Sequence, residues 1–461
     1  MEWEESSSKM QGKGSGCLDW IVRSVLQFRD LVAHCLTFPS ELEAAASNPY
    51  LYRAILRSLH RPLSVMLTNL SAQLVPVTSS TEFATHPSPA APSSAQLYAV
   101  AFATFAAELL ETLDSRGLFL PDNHGVGITD NLRGICESLE SLIGRVIIPL
   151  VSGVRKELVP LINALEFNMP VVASPPPLPP ILPKQATPQN KGVLAMHPSI
   201  GSLHYLIHSH ARNLVQYTTP PTVSSQATLA TLLISLIWHG LVALSRRAPA
   251  PRSSSVMTVS NQQTVVSTAL RWKKAGGNTT TSTPPSPRFS LKLPPSRPPS
   301  PPSSPPPFPA MDARLLYNLF NVLPRPSEDN RYVLAREAVD EAFRGLASLC
   351  ALLDYEAAGN LEIENLDGIT TDLPTVIALP VLLRIFGRGE EEKGSTEAWD
   401  VPLLLGVTDQ EYRSRYLGGF GMAEEGGPGV AKCILDTLVE RHDAKCERLI
   451  QWLEGRANVG E

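Results

Sequence analysis

The chain has 461 residues, a formal net charge of −5 and 43% hydrophobic residues, enough apolar material for helical cores in two or three domains. Its six cysteines lie far apart, without a CxxC pair, which excludes a disulfide-rich secreted scaffold. The first residues, MEWEESSSKMQGKGSG, are acidic and polar and lack the features of a secretory or transit peptide. We therefore expect a cytoplasmic or nuclear protein.

Residues 1–16 are expected to be disordered, and helical periodicity extends from there to residue 169. Apolar residues recur at three and four positions over 18–36, and a second helix after Ser40 is expected to end at Pro62. Ser, Pro and Ala dominate residues 78–94, which predicts a flexible connection. Strong helix formers follow from Ala95.

Another amphipathic helix is predicted from Thr129 or Asp130, with Pro149 and Pro160 expected to interrupt its continuation. An acidic helical domain is predicted over 310–456, with Ser327 as a helix N-cap and a last helix from about Val430 to Leu453.

No alternating strand pattern and no fixed repeat competes with the helical pattern. The sequence predicts an all-α fold, in which an irregular helical bundle or solenoid-like regions are separated by proline-rich disordered linkers. The predicted linkers are 170–198 and 248–309, and a helical segment, 199–247, lies between them.

Charge is distributed in blocks along the chain. Residues 167–311 contain no Asp or Glu, 12 Lys and Arg and 26 of the 42 prolines, whereas residues 312–461 carry a net charge of −12. A basic centre of this kind attracts anionic partners such as an acidic protein, an anionic membrane surface or the acidic C-terminal region of the same chain. The alternative is that the bases only keep a disordered stretch in solution.

Residues 227–245 contain no formal charge and are followed by Arg246 and Arg247. This length matches the apolar core of a bilayer, so a single membrane span is one interpretation. A buried core helix gives the same pattern and is the interpretation we favour.

Three histidines, His204, His208 and His210, are the candidate metal ligands, because the first two share one face of a helix. No neighbouring Cys, Asp or Glu completes a zinc site, so solvated or buried histidines are favoured and no cofactor is predicted. The glycine-rich stretch Gly418–Val430 matches no phosphate-binding motif and is expected to be a loop. No catalytic signature is present, and we expect a protein that is not an enzyme.

The proline-rich stretches carry the candidate docking residues. Lys292, Pro295 and Pro298 fit a basic-xxPxxP pattern that SH3 domains bind, and a PPLP sequence accepted by WW domains is formed by Pro176, Pro177, Leu178 and Pro179. Four residues precede prolines as sites for proline-directed phosphorylation: Thr283, Ser286, Ser300 and Ser304. The alternative is a stiff spacer without a partner.

These features favour an intracellular helical scaffold or adaptor with a basic, proline-rich and phosphoregulated docking tract. The alternatives are a single-pass membrane-anchored protein using 227–245 and a helical regulator associated with nucleic acid. RWKK, at Arg271–Lys274, supports the last only weakly, and nucleic acid is the least favoured partner.

Overall fold

A computed structural model describes residues 48–84, 92–115, 130–167, 196–247, 309–358, 365–387, 400–441 and 446–458. These ranges contain helices and no strand, so the all-α prediction is confirmed for the described residues. The α-helices are α1 Pro49–Thr78, α2 Thr81–Ala84, α3 Ser94–Ser115, α4 Asp130–Asn163, α5 Pro198–Tyr217, α6 Val223–Arg246, α7 Pro309–Phe320, α8 Val333–Ala358, α9 Leu366–Thr370, α10 Thr375–Phe386, α11 Val401–Leu404, α12 Asp409–Tyr416, α13 Phe420–Arg441 and α14 Glu447–Ala457. Short 3₁₀ turns occupy Ala164–Glu166 and Asn330–Tyr332.

Prolines do not end the long helices at the positions the sequence suggested. Helix α1 continues through Pro62, and α4 continues for 34 residues through Pro149 and Pro160. In both helices an apolar stripe packs against neighbouring helices, and this burial outweighs the lost backbone hydrogen bond at each proline. The predicted interruptions at these three prolines are therefore wrong.

Helix α6 lies at the centre of the fold, in contact with α4, α7, α8 and α10. It runs parallel to α4, because Glu140 of α4 accepts a hydrogen bond from Ser224 near the start of α6 and Asn163 of α4 bonds to His239 near its end. Gly240 of α6 leaves room for a side chain of α7: a Cβ at this position would lie 2.8 Å from Leu316 Cδ2.

The two helical regions on either side of residues 248–308 share one hydrophobic core. Hydrogen bonds cross between them at several points: Trp238 Nε1 donates to the Leu417 carbonyl at 2.9 Å, and Arg384 Nη1 donates to the Ser245 carbonyl at 2.6 Å. At the other end of α6, Tyr332 donates its hydroxyl proton to the Pro221 carbonyl at 2.9 Å. The long proline-rich stretch therefore separates two parts of the sequence that pack together.

Three local predictions in the C-terminal region are wrong. The last helix, predicted from about Val430 to Leu453, is divided between α13, which ends at Arg441, and α14, which begins at Glu447. Ser327 does not cap a helix. The 3₁₀ turn before α8 is capped instead by Asp329, whose carboxylate accepts from the Arg331 amide. The glycine-rich stretch, expected to be a loop, is helical from Phe420, and its glycines let helices approach: a Cβ at Gly426 would meet the Tyr416 ring at 2.5 Å.

The apolar segment 227–245 lies within α6. Among the described residues α6 is the one helix long and apolar enough to cross a membrane, and 61% of its most apolar 18-residue window is buried inside the fold. Only Ala227 and Thr231 of that segment are exposed. The surface that would face lipid in a span is here covered by other helices.

Truncation of Leu236 to Ala in α6 tests this packing. Leu236 is fully buried, so we expect Leu236→Ala to lower the free energy of unfolding by about 2–5 kcal/mol, measured by urea denaturation. The matched control is Thr231→Ala on the exposed strip of the same helix, expected to change it by about 0.5 kcal/mol or less. Equal effects of the two substitutions would contradict the central position of α6.

Candidate functional site

The ends of both proline-rich stretches meet at one place in the fold. Phe167 and His197 lie close to the two ends of residues 168–195, and Arg247 and Asp312 lie close to the two ends of residues 248–308. A chain of polar contacts joins these four residues, and we call this group the linker junction.

His197 is the centre of the linker junction. Its Nε2 bonds to the Phe167 carbonyl at 3.1 Å, its Nδ1 accepts from the Ser199 amide at 3.2 Å, and its backbone N–H donates to Asp312 Oδ1 at 3.3 Å. Since Nδ1 accepts and Nε2 faces a carbonyl oxygen, the arrangement requires the neutral imidazole with its proton on Nε2. Burial lowers the pKa of His197, with a further lowering by Arg247, against opposing effects of the Phe167 hydrogen bond and Asp312.

Asp312 and Arg247 form a fully buried ion pair in the linker junction. Arg247 Nη1 donates to Asp312 Oδ2 at 2.5 Å, and the two side chains are 0% and 1% exposed. Such a pair is stable only when both partners remain, because either charge left alone in the interior carries a large desolvation cost. The pair fixes the end of α6 to the first turn of α7.

A second charge cluster lies beside the junction. Arg246 binds both Glu166 and Asp409, and Arg413 binds the same two carboxylates. Hydrogen bonds from Arg413 and the Arg246 charge lower the pKa of Asp409 despite its partial burial. The 3₁₀ turn after α4, the end of α6 and helix α12 are thereby joined at this end of the bundle.

The predicted docking residues lie in the two sequence stretches that the linker junction flanks. Pro176, Pro177, Leu178 and Pro179 fall in 168–195, and Lys292, Pro295 and Pro298 fall in 248–308, both outside the described residues. The phosphorylation candidates Thr283, Ser286, Ser300 and Ser304 fall in the second stretch as well. What the structure adds is that described residues close to both ends of each stretch meet at the linker junction.

The three histidines of α5 are not brought together. The His204 and His208 rings lie side by side on an exposed face, with centroids 4.3 Å apart, and His208 Nδ1 bonds to the His204 carbonyl. His210 is buried and its Nε2 lies 2.8 Å from Glu157 Oε2 of α4. In the part of the chain that the structure describes, no group of three or more His, Cys, Asp or Glu residues is arranged to hold a metal.

A groove at the opposite end of α6 has a volume of about 520 Å³. It is lined by the apolar side chains of Leu110 and Val223, by Tyr332, and by acidic side chains from α3 and α4. Burial, together with the charges of Glu140, Asp114 and Glu137, raises the pKa of the Cys136 thiol in this groove to about 12. The thiol is therefore protonated and unreactive at neutral pH.

Comparisons with protein-family models, with curated proteins and with solved structures find no significant match to this chain.

Sequence reasoning missed the linker junction, although a signal for it was present. Glu166 is the last acidic residue before the acid-free centre and Asp312 is the first one after it, and these two residues bind Arg246 and Arg247. The boundaries of the acid-free block thus lie within a few residues of the start of 168–195 and the end of 248–308. His197 carried no sequence signal of its own, because its role depends on a carbonyl 30 residues away.

Removal of the Asp312 charge tests the importance of the buried pair. We expect Asp312→Asn to lower the free energy of unfolding by about 3–5 kcal/mol, because Arg247 would lose its buried counter-ion. The control is Asp354→Asn, which breaks the largely exposed pair with Arg314 and should cost about 1 kcal/mol or less. Similar decreases in the free energy of unfolding for both variants, measured by urea denaturation, would contradict the importance of the buried Arg247–Asp312 pair.

The lowered pKa of His197 predicts a pH dependence of stability. A histidine with a lowered folded-state pKa contributes stability that is fully present above the unfolded value of 6.5 and is lost as the pH falls below it. We expect the free energy of unfolding to decrease from pH 7.5 to pH 5.5, and His197→Gln to show a smaller decrease. An equal decrease in the variant would show that His197 remains free to protonate in the fold.

Proposed function

We propose that the protein is an intracellular scaffold or adaptor in which a helical body holds two proline-rich docking stretches next to each other. The observation that carries the proposal is the linker junction, in which residues close to the ends of 168–195 and 248–308 are joined by hydrogen bonds and a buried ion pair. A spacer between independent domains needs no such common anchor, because the parts that it connects are free to separate.

The common anchor has a consequence for binding. A partner with two recognition modules that engages one stretch meets the second at a high effective concentration, since both stretches are attached to the same folded body at the linker junction. The gain requires that the body stay folded, which gives the helical core a role in docking without direct contact to the partner.

SH3 and WW domains are the partners that fit the two stretches. The PPLP sequence at 176–179 suits a WW groove, and Lys292, Pro295 and Pro298 suit an SH3 groove. Phosphate at Thr283, Ser286, Ser300 or Ser304 would bring about −1.5 to −2 charges each into the basic stretch and weaken attraction to an acidic groove.

Titration of the full-length protein against panels of purified SH3 and WW domains tests the docking residues. We expect Pro295→Ala with Pro298→Ala to abolish SH3 binding, because the two prolines fill adjacent sites of the groove. The matched control is Pro305→Ala with Pro306→Ala, in the same stretch but outside the pattern.

For WW binding, the test variant is Pro177→Ala with Pro179→Ala, which should abolish binding because it removes two prolines of the PPLP sequence. The matched control is Pro180→Ala with Pro183→Ala, outside that sequence. Absence of binding to every domain of both panels, or equal losses in the control variants, would contradict the docking assignment.

Membrane anchoring through 227–245 is the second candidate, motivated by the length and apolar character of α6. Fractionation of the tagged protein, with the membrane pellet washed in high salt and then in alkaline carbonate, separates the alternatives. Retention through both washes would support a span and contradict the packing of α6. Release by salt alone would indicate electrostatic attachment of the basic stretch to anionic lipid.

A further inference from the structure

The groove at the start of α6 combines an apolar floor with negative charge. Leu110, Val223 and the Tyr332 ring contribute apolar lining, which we call the apolar floor, and the lining also includes Glu111, Asp114, Glu137 and Glu140 from α3 and α4. Arg133 and Arg331 also line it, so that carboxylates outnumber guanidinium groups by two. A segment that fills the groove should bring an aromatic or aliphatic side chain together with positive charge.

The four carboxylates of the groove differ in their hydrogen bonds, their ion pairs and their exposure. Glu140 Oε2 accepts from the Ser224 amide at 3.1 Å, which caps α6, and Asp114 is bound by Arg331. Glu137 pairs with Arg133 at 2.9 Å, but both side chains are more than 60% exposed, and Glu111 is exposed as well. Glu111 and Glu137 are therefore the carboxylates most available to an incoming cation.

One segment of the same chain has the matching chemistry. Residues 248–308 contain seven Lys and Arg and no acidic residue, and three of the seven lie in RWKK, at Arg271, Lys273 and Lys274. Trp272, between them, is the only tryptophan of the stretch. Tryptophan offers a large apolar ring with an N–H donor, a combination suited to a half-open groove with a polar rim.

The chain on both sides of Arg271–Lys274 is long enough for this segment to reach the groove. The groove lies at the start of α6 and residues 248–308 begin after its end, so the segment must span the helix, about 36 Å at 1.5 Å per residue. Arg271 follows Arg247 by 24 positions, which extend to about 80 Å, and Pro309 follows Lys274 by 35 positions, which extend to about 115 Å. Both sides of the loop exceed the required span about twofold or more.

We propose that Arg271–Lys274 dock into the groove between α3, α4 and the 3₁₀ turn before α8, with Trp272 on the apolar floor and the cations near Glu111 and Glu137. When this segment is bound, Arg271, Lys273 and Lys274 contact the helical body and are not available to anionic partners. This intramolecular contact does not depend on the proposed adaptor function.

Photo-crosslinking of the full chain tests the proposal. With p-benzoylphenylalanine in place of Ala275, next to the intact RWKK, illumination should give an intramolecular crosslink to residues 107–114, 133–140 or 331–332, mapped by mass spectrometry. Glu111→Lys with Glu137→Lys should lower the yield about fivefold or more, because two attractive charge pairs become repulsive. Trp272→Ala should lower the yield too.

The matched control is Glu424→Lys with Glu454→Lys, which reverses two exposed charges on α13 and α14, outside the groove. Thermal unfolding confirms that each variant folds. Crosslinks that map elsewhere on the chain, crosslinked dimers that increase with protein concentration, or a yield unaffected by Glu111→Lys with Glu137→Lys would each overturn the proposal. Dimers would assign the groove to a second copy of the chain.

Discussion

Helix α6 is apolar around most of its circumference, so it is stable in water only if other helices cover it on nearly every side. The cover comes from α4, which precedes it, and from α7, α8 and α10, which follow residues 248–308. Helices on both sides of 248–308 in the sequence therefore contribute to the burial of α6. The burial of α6 therefore requires the helices before and after the long stretch 248–308 to pack into one body.

The linker junction stabilises this packing at the point where 248–308 begins and ends. The end of α6 and the start of α7 are brought together deep in the fold, and the buried pair of Arg247 and Asp312 holds them there. His197 extends the contact to the backbone at Phe167. An arrangement that serves the packing of α6 thereby places the ends of two proline-rich stretches at a single point, which is the physical basis of the proposed adaptor.

The sequence predicts the helical class well, because periodicity and helix propensity are local properties. It also predicts the start of α3 within one residue. Local rules failed where tertiary packing decided the outcome: at Pro62, Pro149 and Pro160, which packed helices tolerate, and at Gly426, where a close contact with Tyr416 favours glycine within a helix. The contacts of the linker junction join residues 30 to 115 positions apart, so the boundaries of the charge blocks mark its place in the sequence but not its pairing.

Cleavage within residues 248–308 tests the central claim most directly. A site for a specific protease placed near residue 262 allows the purified chain to be cut into two fragments, which are then analysed by size-exclusion chromatography without denaturant. The account predicts that the fragments elute together and unfold in one transition, because α6 remains covered by α7, α8 and α10. Separation into two folded fragments would contradict it.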